Sequence, residues 1–229
     1  MKQAVKTYLG LGFRVCCHGG RAQIFLPDGV VLELVSLADP PVEAGGEFLR
    51  RRHRLYGRAG LLDYALAEEE GLEVALSRLK QANIPHHRVG HGLFPKRVVC
   101  NPPLPLLQGF LSPNPAPEQT QQPNGVTGLH ALVVGSPAYP AALAQHRRLL
   151  GPPLAFEAYE GRRRAVFAIG KHFLYLQGAE QEGLQGLILR SRYALWGALE
   201  PTQTLGVALS LVGDPVFELT GDSAPETEG

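Results

Sequence analysis

The 229-residue sequence predicts an α+β fold of repeated βαβββ modules whose curved antiparallel sheets form half-barrels, the first module lacking its opening strand. Apolar residues recur at helical spacing in three places, and each run is closed by Gly or Asn and followed by strand-like alternation. The 27 glycines and 19 prolines are spread along the chain, which favours many short elements over long helices. With 45% hydrophobic and 19% charged residues, the chain can bury a core for such elements and is not compositionally disordered.

Taken in order, QAVKTYLG has helical spacing and runs into a glycine stop. Strands follow over residues 22–25 and 30–37, separated by Pro27-Asp28-Gly29, a strong turn signal. No strand candidate precedes this helix, so the first module is expected to lack its opening strand. A second module opens with a strand over residues 60–67. Its helix carries Leu72, Ala75, Leu76 and Leu79 on one face, Asn83 ends it, and a strand begins at Ile84. Residues 101–124 hold seven prolines and read as a linker between two halves. The third module has a strand over residues 126–134, then a helix with Ala142, Leu143, Leu149 and Leu150 that stops at Gly151. Strands follow over 154–159, 164–169 and 173–177, the last two separated by Gly170-Lys171. Two further strands over 187–193 and 205–212 precede a small, acidic tail. The expected organisation is an N-terminal part over residues 1–117, a C-terminal part over 124–217 and a flexible tail over 218–229.

Lysine plus arginine total 22 against 21 acidic residues, so no chain-wide field gathers nucleic acid or an anionic membrane. Charge-poor stretches over residues 98–117 and 119–145 are interrupted by proline and glycine, unlike a spanning helix. Lys6 falls where a signal peptide needs its apolar centre, and the three cysteines are odd in number and lack CxxC spacing. These features predict a cytoplasmic protein with reduced, mostly buried thiols. Phosphate-loop, GxSxG and HExxH motifs are absent from the sequence.

At particular positions the chain resembles the glyoxalase-like branch of the vicinal oxygen chelate superfamily. The matching residues are Leu11-Gly12-Phe13, Gly19-Gly20-Arg21, Leu32-Glu33-Leu34 and Pro123-Asn124-Gly125, in the family's order across residues 2–178. The resemblance implies modules closing around a metal or ligand cavity, in a lyase, an isomerase, a ring-cleaving dioxygenase or a protein that only sequesters a small molecule. Family ligands come from the opening and fourth strands of each module. Carried over, Glu33 takes the fourth-strand acid position of the first module and His130 the opening-strand histidine of the third. Tyr64 and Tyr175 stand where two further ligands would be.

The resemblance thus implies a divalent ion (zinc, manganese, iron or nickel) at Glu33 and His130, with Glu33 as ligand or catalytic base. Two surviving ligands fall short of the ~3 that a catalytic site uses. Arg21 and Asn124, within matched motifs, are candidate ligand-binding residues. Arg51, in the run Arg50-Arg51-Arg52-His53-Arg54, could hold a carboxylate or phosphate by bidentate contacts, or belong to a solvated helix. Glu33 reads equally as a solvent-facing or arginine-paired acid, and His130 as a half-buried histidine bonded to backbone. His86, His87 and His91 read as a solvated edge strand, and Arg162-Arg163-Arg164 as a hairpin tip. The expected partner is a small molecule, with no nucleic acid and no membrane. The rival classes are a binding module that has lost its ligands and a module that forms a homodimer through the open sheet edge.

Overall fold

The computed structural model describes residues 1–18, 21–35, 64–68, 70–89, 97–104, 107–111, 120–159, 161–193 and 197–214. Arg51 with the rest of its arginine run, His91 and the acidic tail lie outside them. The architecture is α+β with curved mixed and antiparallel sheets. The first module has α1 (Lys2–Gly10), β1 (Cys16–His18), β2 (Arg21–Phe25) and β3 (Val31–Leu34). The second has β4 (Tyr64–Ala67), α2 (Leu72–Gln81), β5 (His86–Val89), β6 (Arg97–Leu104) and β7 (Leu107–Leu111). The third has β8 (Val126–Ser136), α3 (Tyr139–Leu150), β9 (Ala155–Tyr159), β10 (Arg162–Ile169) and β11 (His172–Gly178), followed by β12 (Gly183–Ser191), β13 (Gly197–Leu199) and β14 (Leu209–Gly213).

Strand order exposes the repeat. The second module forms a sheet β4-β7-β6-β5 and the third contributes β8-β11-β10-β9, so in both the opening strand lies beside the fourth. That one pairing is parallel in each module, whereas β5–β6, β6–β7, β9–β10 and β10–β11 are antiparallel. The first module forms β1-β2-β3. Its β3 occupies the position that pairs with an opening strand in the other two, and among the described residues it has no such partner.

The third module's sheet does not stop at β8. β12 pairs antiparallel with β8, β14 runs parallel to β12, and β13 is antiparallel to β14. The order β13-β14-β12 therefore mirrors β10-β11-β8 about the β8/β12 seam, giving a seven-stranded sheet.

Local chemistry explains the elements. Asn83 at φ 53° ends the α2 region and Gly151 at φ 86° closes α3, both in the left-handed region that stops a helix. Each helix buries one stripe: Ala75, Leu76 and Leu79 of α2, and Ala142, His146 and Leu149 of α3. One continuous core takes in Tyr8, Phe13 and Ile24 of the first module, Leu79 and Phe110 of the second, and Phe167, Leu174 and Leu189 of the third. Each such side chain contributes about 1.5–3 kcal/mol on leaving water.

Two expectations need correction. The proline-rich stretch is not only a linker, because β6 runs through Pro102 and Pro103 to Leu104 and β7 follows at once. The β6–β7 register jumps between Val99↔Gly109 and Leu104↔Leu107, so the prolines sit where the ladder is interrupted and no N–H is required of them. Gly109, at φ 152°, is needed there because a Cβ would run into the Val98 carbonyl. The thiols also differ from expectation. Cys100 is buried, but Cys16 and Cys17 are exposed thiols on β1, which among the described residues pairs with β2 alone.

The α3 histidine has a measurable consequence. His146 is 2% exposed, its Nδ1 donates to the Ala142 carbonyl at 2.8 Å, and its Nε2 lies 3.5 Å from the Tyr64 hydroxyl of the second module. Burial lowers its pKa from the ordinary 6.5, with the backbone bond opposing. The unfolded chain therefore binds this proton more readily than the folded one, so stability is full above pH 6.5 and falls as pH drops toward the folded value. Urea midpoints should decline more steeply from about pH 7 to about pH 5 for the native chain than for His146→Gln. Parallel declines would clear His146 of that role. Among the described residues, no helix is long and apolar enough to cross a membrane.

Candidate functional site

The seven-stranded sheet has two unlike faces. Helix α3 touches β8, β10 and β11 and covers the face bearing Leu132, Val134, Ala165, Phe167, Leu174 and Leu176. Strand alternation sends the residues between these to the other face, where Ala131, Val166 and Tyr175 form a separate apolar cluster with Val133, Phe173 and Ile188 packed on it.

His130 joins that second face through a bulge. Between Ala131↔Ile188 and Leu129↔Leu189, β8 advances two residues while β12 advances one, leaving His130 as the extra residue. Its ring lies 5.3 Å from Phe173 and 6.3 Å from Tyr175, whose own rings stack at 6.3 Å with a 13° tilt. His130 Nε2 and the Tyr175 hydroxyl are 3.3 Å apart. Beside them the Arg164 guanidinium lies over the rings of Tyr175 at 4.1 Å and Tyr159 at 4.5 Å. Its Nε and Nη2 both donate to Glu157 Oε2, at 2.8 and 2.7 Å.

The electrostatics follow from this packing. Burial lowers the His130 pKa, and Arg190, Arg164 and His172 lower it further. Burial raises the Tyr175 phenol, and Arg164 opposes this less strongly. Both shifts favour the neutral forms of the pair, with Glu157 adding to the rise at Tyr175.

At the end of this face the first module plugs in. Asp28, at the turn between β2 and β3, accepts from the Leu129 N–H at 2.6 Å and from Arg190 Nη2 at 3.0 Å with its Oδ2. His172 Nδ1 is 3.7 Å from the same oxygen and donates to the Leu129 carbonyl at 2.8 Å. Oδ1 accepts from the Val30 N–H at 3.2 Å, completing the turn. The carboxylate is 6% exposed.

Of the expected site residues, Glu33 and His130 stand on different sheets and Arg51 lies outside the described residues. Glu33 is exposed on β3, opposite Gln23, while Leu32 and Leu34 beside it pack on the core. It belongs to a different sheet from His130. Asn124 is engaged at both ends of its amide, Nδ2 donating to the Leu11 carbonyl at 3.1 Å and Oδ1 accepting from the Val126 N–H at 3.2 Å. With Gln122, which bonds the Arg14 N–H and the Phe25 carbonyl, it ties the first module to the third. Arg21 opens β2.

A divalent ion suits this arrangement poorly. Among the described residues no three His, Cys, Asp or Glu side chains come together as a donor set. Arg190 and Arg164, beside His130, disfavour a cation at that ring. Arg164 and Arg190 escaped the sequence reading: the first looked like part of a solvated tip, the second like one residue of a strand. The alternation Leu187, Leu189 against Ile188, Arg190 is the signal that could have placed Arg190 on this face.

No protein-family model matches the chain, and no curated protein matches it. Among solved structures, a hypothetical protein from Staphylococcus aureus is similar over 90% of this chain and 93% of its own, with 9% identity and a TM-score of 0.65. Methylmalonyl-CoA epimerase from Mycobacterium tuberculosis is 18% identical over 39% of this chain and 89% of its own, with a TM-score of 0.34. The Streptomyces coelicolor epimerase in complex with 2-nitronate-propionyl-CoA is 15% identical over 39% of this chain and 98% of its own, at 0.33. Identities this low speak to fold alone, and the Staphylococcus aureus protein shares it over nearly the whole chain.

Proposed function

We propose that this chain is a glyoxalase-like protein of the vicinal oxygen chelate type that binds a small molecule on the face of the seven-stranded sheet opposite α3, without a divalent ion at His130. The observation that carries the reading is the cluster His130, Phe173, Tyr175 and Arg164: aromatic rings, that of Tyr175 largely buried, and polar groups held together on one side of one sheet. His130 stands where the resemblance implies a metal ligand, but its partner is a phenol rather than a carboxylate. A hydrogen-bonded phenol and imidazole orient a polar ligand, and the stacked rings offer it an apolar wall.

Saturation-transfer screening of small carbonyl compounds against the intact chain tests this. Hits should weaken about fivefold in Tyr175→Phe, the loss expected when one hydrogen bond worth ~1 kcal/mol disappears. They should be unaffected in Phe156→Ala, on the opposite side of the sheet beside Ala165. Hits indifferent to both Tyr175→Phe and His130→Ala would move the site elsewhere. Elemental analysis offers the contrary result. Stoichiometric zinc, manganese, iron or nickel, lost in both Glu33→Ala and His130→Ala, would favour a metal-dependent lyase, isomerase or dioxygenase instead.

A further inference from the structure

Arg190 is the least explained side chain on this face. One of its nitrogens, Nη2, is spent on Asp28. Its Nε is buried without a hydrogen-bond partner among the described residues, an unfavourable arrangement unless a ligand or water answers it. The Arg190 side chain as a whole is 22% exposed, although its Nε is not. It rises from β12 two residues beyond Ile188, on the same side of the strand, next to the apolar cluster formed with Ala131 and Phe173. Each arginine has an acidic partner, Asp28 for Arg190 and Glu157 for Arg164. A cation with a spare planar donor therefore borders an apolar surface and an imidazole–phenol pair.

Resting on the reading that this face binds a small molecule, we propose that its occupant is a small organic carboxylate. Arg190 takes the carboxylate oxygens, Phe173 and Ile188 take the apolar body, and the His130–Tyr175 pair takes a second polar group. Carboxylate suits the donor because a guanidinium edge offers planar, charge-assisted N–H bonds. Asp28 engages Nη2 and so fixes the plane of the guanidinium.

The test uses the intact chain and three acids, phenylacetate, benzoate and hexanoate, each against its own neutral amide. The Arg190 Nε–Hε cross-peak, assigned by its loss in Arg190→Lys, should move on adding an acid and stay still with the amide. At least one acid should bind tenfold more tightly than its amide, and Arg190→Lys should erase that preference. The lysine keeps a cation for Asp28; should the variant fail to fold, the acid–amide comparison on the native chain stands alone. Equal affinities of acid and amide, with the Tyr175 and His130 signals perturbed by both, would overturn the carboxylate and leave the small-molecule site intact. An acid preference that leaves the Arg190 cross-peak unmoved would overturn the role of Arg190. Failure of all three acids to bind would overturn the inference, while the carbonyl screen and its Tyr175→Phe arm judge the site separately.

Discussion

Asp28→Ala is expected to lower the unfolding free energy by about 3 kcal/mol, because it breaks a buried charge pair and strands its partners. Asp28 lies in a turn, where alanine is ordinarily tolerated. Here its Oδ2 holds the Leu129 N–H at 2.6 Å and Arg190 Nη2 at 3.0 Å. Removing it leaves a half-buried guanidinium without its counter-charge and a strand N–H without an acceptor, on top of losing the Asx turn to Val30. Asp28→Asn should cost less, since the amide oxygen still accepts from Leu129 while the charge is gone. Urea denaturation of the two variants and the native chain measures the series, and a loss below about 1 kcal/mol in Asp28→Ala would show that the clasp contributes little.

Gly128→Ala should be nearly as damaging, at about 2–3 kcal/mol, for a reason that couples it to the first variant. Gly128 pairs with Arg190 across the β8/β12 seam. A Cβ there would overlap the Asp28 carboxylate and come within 2.9 Å of Arg190 Nη2. The methyl group must therefore evict the carboxylate. In an Asp28→Ala background that space is already vacated, so the same substitution should cost under about 0.5 kcal/mol more. Additive losses in the double variant would mean that Gly128 is required for some other contact.

The two variants also mark where sequence reading reached its limit. Pro27-Asp28-Gly29 announces a turn, and a turn is what forms, with Gly29 at φ 89° and the Leu26 N–H bonded to the Val30 carbonyl. That the same aspartate reaches a strand a hundred residues away depends on how the modules stack. The helix stripes were legible because burial of every third or fourth residue is a local pattern. His146 falls inside the α3 stripe, where a histidine reads as an interruption until Tyr64 lies beside it. β7 was hidden by prolines that usually exclude strands and here occupy a break in the register. Arg164 looked solvated from its two arginine neighbours. Its setting is decided by Glu157 and Tyr159 on one adjacent strand and Tyr175 on the other.

By itself the sequence determined the α+β class, the module order and the helix stops, because periodicity, glycine and proline act through the backbone within a few residues. Only the tertiary structure decided that Glu33 and His130 belong to separate sheets, that Asp28 clasps Arg190, and that His130 meets Tyr175. Those outcomes depend on strand register and on a one-residue bulge in β8, which no local pattern encodes. A single step of register sends a side chain to the opposite face of a sheet.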